Sequence, residues 1–201
     1  MSEVSKPVDP SAIGLFGLAI ATLVASSEKL GLTSGLSYVL PWVLFLGGFA
    51  QLIAGIYDYK KGNVFGATAF LAFGLFWLAI TFTWLMGLNA LGDSLFSNID
   101  TKELGFAFLG YLIFTIYMTI GALETNKVLF TIFFFIIILF VGLTFSTFGV
   151  MVHEMKLLAG IAELIVSLLS FYASAANVLN IHFGRTFLPI GKPFGIIKKV
   201  D

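Results

Sequence analysis

Gln51, Asp58 and Glu163 are residues of chemical consequence set in largely apolar surroundings. An amide such as Gln51 offers two donors and an acceptor lobe, more than the local backbone can satisfy. Asp58 follows seven residues later, at nearly the same helix angle, so the pair would draw one polar line along a helix. Glu163 stands inside an apolar run, where a charged carboxylate costs about 2.5 kcal/mol or more unless it is protonated, paired or wetted. Hydroxyls at Thr22, Thr68, Ser167 and Ser174 join them, although a hydroxyl can bond back to the carbonyl one turn earlier. Such groups suit holding and passing a small polar solute. Covalent chemistry has little support. His153 and His182 are too far apart to share a metal, no Cys is present, and no HExxH, GxSxG or phosphate-cradling loop occurs.

Composition dictates which elements position these groups. The chain has 201 residues, of which 59% are hydrophobic and 11% charged, with 23 Phe. Soluble domains carry about 25% charged residues, so this much apolar surface implies lipid as the solvent. A net charge of +0 gives no sign of nucleic acid. A span needs about 20 apolar residues, and six stretches qualify: 10–27, 38–57, 64–86, 104–123, 128–152 and 157–181. Backbone groups in lipid must be satisfied within each segment, which requires helices. Phe130–Val141 is rich in strand-favouring residues, yet its length and lack of alternation predict a helix. Asp9-Pro10 in place of a basic region argues against a cleaved leader.

One set of helix ends holds Lys6, Lys60, Lys61, Lys127, Arg185, Lys192, Lys198 and Lys199, and the other holds Lys29, Lys102 and Lys156. That asymmetry predicts both termini in the cytoplasm. The expectation is an all-α integral membrane protein: one transmembrane domain over 1–201, six helices, in the plasma membrane. Short connections at 58–63, 124–127 and 153–156 make helix pairs 2/3, 4/5 and 5/6 neighbours, and the loop 87–103 would cap the outer face. Gly17, Ala21 and Ala25 on the first helix, with Gly47, Gly48 and Gly74 on the next two, let helices approach closely in lipid or leave room for a solute path.

Gly47 to Ala79, GGFAQLIAGIYDYKKGNVFGATAFLAFGLFWLA, resembles the helix 2–turn–helix 3 core of the acetate uptake transporter (succinate–acetate permease, YaaH-type) family. FGRTFLPIG, Phe183 to Gly191, resembles that family's C-terminal signature. The resemblance implies a six-helix protomer, usually a hexamer, passing acetate and sometimes succinate through a pore in each protomer. It maps an apolar constriction onto Leu18, Phe73 and Ile136, where the family's Tyr hydroxyl is replaced by Phe73. Gln51 is kept. Asp9 replaces an Asn that meets substrate near one pore mouth, and this added carboxylate would repel an anion unless protonated or paired. The expected substrate contacts are Gln51 and Asp9 with nearby hydroxyls, Thr22 and Thr68 among them. Proton-linked candidates are Asp9, Asp58 and Glu163, and no cofactor or metal is expected. Two other readings stay open: passage of ammonium or another small solute, and a scaffold or sensor whose 184–201 tail binds a soluble partner.

Overall fold

The computed structural model describes residues 9–197. Lys6, Lys198 and Lys199 of the basic set, and the last residues of the 184–201 tail, lie outside the described residues. Six helices are long and apolar enough to cross a membrane: α1 (Ser11–Lys29), α2 (Leu40–Lys60), α3 (Val64–Gly87), α4 (Thr101–Ala122), α5 (Lys127–Thr147) and α6 (Val152–His182). This is a multi-pass membrane protein. No strand occurs among the described residues, and Phe130–Val141 lies inside α5. A one-turn helix, Asp93–Phe96, interrupts the long loop. The α5–α6 break falls earlier than the sequence suggests. Gly149 (φ 85°) and Met151 (φ 43°) take left-handed backbone, which ends α5 at Thr147 and lets α6 start at Val152.

Polar residues at the turns start the helices. The side chains of Asn63, Asp100 and Asn126 accept hydrogen bonds from Gly66 N (3.1 Å), Lys102 N (3.0 Å) and Leu129 N (2.9 Å). Each satisfies a backbone donor that has no partner within its own helix.

The helices form a ring in chain order. α1 packs on α2 and α6, α3 packs on α2, and α5 lies between α4 and α6. Side chains close the remaining seam between α3 and α4. Phe76 and Tyr111 meet with centroids 4.8 Å apart, and the Tyr111 hydroxyl donates to the Ala72 carbonyl at 2.8 Å. Small residues set the close contacts: a Cβ on Gly47 would lie 2.9 Å from Ala21 Cβ, and one on Gly74 would lie 3.0 Å from the Gly48 carbonyl oxygen. Across α1 and α6, Ser167 and Ser174 donate to the carbonyls of Ala19 (2.8 Å) and Ala12 (2.7 Å). Interhelical bonds of this kind help hold membrane helices where apolar burial gives little drive.

Two features were not foreseen. Val43–Ala50 in α2 is π-helical, a wide turn often found at functional sites. Beyond α6, the chain runs back along the helix ends as an extended strap. Asn180 Oδ1 accepts from Phe187 N (2.7 Å) and Leu188 N (2.8 Å). Val128 N donates to the Ile190 carbonyl (3.2 Å), and Phe194 N to the Leu123 carbonyl (2.9 Å). Ile196 N and Ile197 N both donate to Glu124 Oε1, at 2.8 and 2.9 Å.

Candidate functional site

The ring encloses a cavity of about 600 Å³. Its lining starts at Ser11 on α1, Phe65 on α3 and Leu129 on α5, and its innermost residues on those helices are Leu18, Phe73 and Ile136. At about 1.5 Å of rise per residue the cavity is about 10–12 Å deep along each helix. Past the trio the path is filled. Phe73 packs on Phe114 (5.6 Å) and stacks with Phe140 (6.5 Å), which in turn meets Phe76 at 5.3 Å. Leu18, Phe73 and Ile136 are therefore the apolar floor of a cavity open towards the described chain ends.

The mouth is polar, lined by Asp9, Ser11, Asn63, Glu124, Thr125, Asn126 and Asn177, with Ile190 of the strap beside them. The N-termini of α1, α3 and α5 all sit here, and their dipoles favour negative charge, with the Ser11, Gly66, Val128 and Leu129 N–H groups already engaged by the chain itself. Asp9 does not face the mouth as a free charge. Its Oδ1 accepts from Ser11 N at 3.0 Å and lies 3.6 Å from Lys61 Nζ. Burial pushes the Asp9 carboxyl up, but the Ser11 hydrogen bonds and the Lys61 ammonium outweigh it and hold the group below the usual carboxylate range. Glu124 is likewise engaged, by the two strap N–H groups. Among the described residues no Lys, Arg or His lines the cavity.

Gln51 lines the inner end and is fully buried. It directly follows the π-helical turn. Its backbone N–H bonds the Gly48 carbonyl, and its side-chain Nε2 donates to the Gly47 carbonyl at 2.9 Å. Oε1 has no partner.

The remaining candidates fall elsewhere. Thr22 is absent from the lining, its hydroxyl turned back onto the Leu18 carbonyl at 2.7 Å. Thr68 is also outside it, on a different face of α3 from Ala69 and Phe73. The polar line from Gln51 to Asp58 does not run along the cavity. Asp58 is fully buried but turned towards Gly66 at the start of α3, with neither carboxylate oxygen hydrogen-bonded. Glu163 lies apart from the cavity and pairs with Lys29 at 2.9 Å, between α6 and α1. Sequence reasoning missed Asn63, Glu124, Asn126, Asn177 and Ile190. Asn63 and Asn126 carried a signal, since each directly precedes an apolar run in the manner of a helix cap.

The sequence matches the GPR1/FUN34/yaaH family over residues 2–190. The chain belongs to that family. Among GPR1/FUN34/yaaH relatives, it is 34% identical over 192 residues to the succinate-acetate/proton symporter SatP of Escherichia coli, covering 94% of this chain and 97% of SatP. It is 32% identical over 183 residues to ammonia transport outward protein 2 of Saccharomyces cerevisiae, covering 88% of this chain and 64% of that protein. In three dimensions it resembles the solved structure of the bacterial acetate channel SatP, with a TM-score of 0.85 and 34% identity over 92% of this chain and 100% of that one. The likeness spans all six helices, so every wall of the cavity falls within the shared GPR1/FUN34/yaaH fold.

Proposed function

We propose that this protein carries acetate and related small carboxylates across a membrane, through the cavity inside each protomer. The observation that carries the reading is the convergence of Leu18, Phe73 and Ile136, from three helices, at the closed floor of one cavity. The helix N-termini at the mouth gather the carboxylate. The apolar floor accommodates a methyl group but gives a bare carboxylate nothing to replace its hydration, so it screens by size and polarity and can gate by dewetting.

The excess of basic residues at the helix ends around the mouth supports a mouth on the cytoplasmic side of the plasma membrane. The protomers form a homo-oligomer, a hexamer by the family resemblance, and no catalytic step belongs to this reading. Of the three proton-linked candidates, Asp9 and Glu163 are held in ion pairs, which leaves Asp58. A second reading, ammonium passage, draws on the name of the yeast relative and on Asp9 and Glu124 at the mouth. No carboxylate continues that path to the floor.

The test is uptake of radiolabelled acetate by proteoliposomes holding the pure protein, with and without a pH gradient, against empty liposomes. Flux above the empty control, inhibited by excess unlabelled acetate but not by ammonium, is the expected result. Flux equal to the control would sink the transport reading and favour a scaffold.

A further inference from the structure

The mouth end of the ring carries positive charge that nothing else in the described chain answers. Lys60, Lys127, Arg185 and Lys192 are all exposed there, and none of them forms an ion pair among the described residues. The carboxylates at that end are taken or out of reach. Asp9 pairs with Lys61 at 3.6 Å, Asp58 is fully buried, and Glu124 accepts the Ile196 and Ile197 N–H groups.

The strap brings two of these cations together. Gly191 has φ 78°, and a Cβ there would lie 2.8 Å from Lys127 Cβ, so glycine lets the strap settle on the Lys127 stem. The hydrogen bond from Val128 N to the Ile190 carbonyl fixes the same point. Lys192 follows directly, which sets its charge beside that of Lys127. Like charges so placed repel, and an anion between them relieves the repulsion.

Apolar surface surrounds this pair. Phe187, Phe194, Ile196 and Ile197 are between 44% and 68% exposed. Phe194 meets Phe130 edge-on at 5.0 Å, and Phe130 stacks with Phe134 at 6.5 Å. Phe134 is an outward-facing residue of α5, 47% exposed on a membrane-spanning helix. An aromatic column thus runs from the lipid-facing side of α5 onto the strap, where Lys127 Nζ lies 5.8 Å from the Phe194 centroid.

We infer that the strap is a docking surface for anionic lipid headgroups of the bilayer around the protein. The headgroup phosphate sits between Lys127 and Lys192, Arg185 adds charge along the strap, and Phe194, Ile196 and Ile197 rest at the acyl boundary. Basic residues beside a membrane helix are drawn to an anionic leaflet. A soluble phosphate would gain nothing from the exposed apolar side chains. The inference does not depend on what the cavity carries. It does reach the cavity, because Ile190 lines the mouth beside Gly191, so a lipid held at Lys192 fixes one residue of that lining.

The chain has no Cys, so Ile196→Cys in the full-length protein takes a single fluorescent dye. Proteoliposomes of phosphatidylcholine then receive equal mole fractions of either phosphatidylglycerol or phosphatidylcholine bearing a shallow nitroxide quencher. Expected is stronger quenching by the phosphatidylglycerol, with the difference shrinking as salt is raised. Lys127→Gln and Lys192→Gln should each lower that preference, by up to about fivefold per charge at low salt, and Lys127→Arg should keep it. If Lys127→Gln dislodges the strap, the phosphatidylcholine signal changes as well, and Lys192→Gln on the exposed chain decides. Equal quenching by the two lipids would overturn the inference. Quenching by neither would also overturn it, by showing that a neighbouring protomer or a soluble protein covers the strap. A preference abolished by inorganic phosphate, but not by sodium chloride of the same ionic strength, would replace the lipid with a soluble anion.

Discussion

Replacing Lys29 with Met isolates the pair that joins α1 to α6. Lys29 Nζ and Glu163 Oε2 are 2.9 Å apart, and their side chains are 11% and 3% exposed. At an effective dielectric near 20, charges at that separation attract by about 6 kcal/mol. Desolvation offsets much of this, and breaking buried pairs by removing one partner costs about 3–5 kcal/mol. Met preserves most of the stem, whose Cβ lies 3.0 Å from where a Cβ on Gly160 would be, so the loss is electrostatic. For a chain of this size each kcal/mol is worth about 2–4 °C. Lys29→Met should therefore lower the Tm by about 6–20 °C, followed by tryptophan fluorescence in detergent. Replacing both residues with Met should recover most of that loss, because a well-packed apolar pair serves as well as a buried ionic one. Acetate flux per folded protomer should be unchanged, since neither residue lines the cavity. A double variant as unstable as the single one would refute the electrostatic account, and a fall in flux would show that the pair belongs to the transport path.

Ile136→Ala should open the cavity floor and raise the flux of acetate, and more so of the bulkier propionate, in proteoliposomes; unchanged rates for both acids would mean that the floor is not limiting. Asp9→Asn removes a half-exposed pair, so its effect on stability should be within about 1 kcal/mol. The Asp9 carboxyl is lowered in the folded chain, so its contribution is present above an unfolded pKa of about 3.9 and is lost as pH falls through the folded value. Unfolding curves of the two proteins should therefore differ slightly at pH 6 and converge at strongly acid pH. Asp58→Asn should raise thermal stability by removing a buried carboxylate that has no hydrogen bond, and should leave gradient-driven acetate accumulation within about twofold; lost accumulation would assign the proton to this side chain.

The fold was legible because lipid leaves few choices. Charges at bilayer intervals marked the six helices, and their apolar length overrode the strand propensity of Phe130–Val141. Gly149 and Met151 hid the true α5–α6 turn, since Met gives no warning of a left-handed conformation. At the site, the trio and Gln51 could be placed through the family resemblance, and all four do line one cavity. Thr22 and Thr68 could not be sorted by type, because a threonine facing its own helix backbone reads the same as one facing a solute. Glu163 announced that it needed a partner but not which one. Lys29 is distant in sequence, and no local pattern links them. The π-helical turn at Val43–Ala50 and the unpartnered Gln51 Oε1 beside it follow no composition rule.

The strap behind α6 bears on how the protein is made. Residues Phe187–Ile197 are synthesised after all six helices, yet they occupy Val128 N and the Leu123 carbonyl and engage Glu124 at the α4–α5 turn. That turn reaches its final form only after the last helix has left the ribosome. Until then the cavity mouth lacks Ile190, so insertion of the helices and completion of the mouth are separate events in biogenesis.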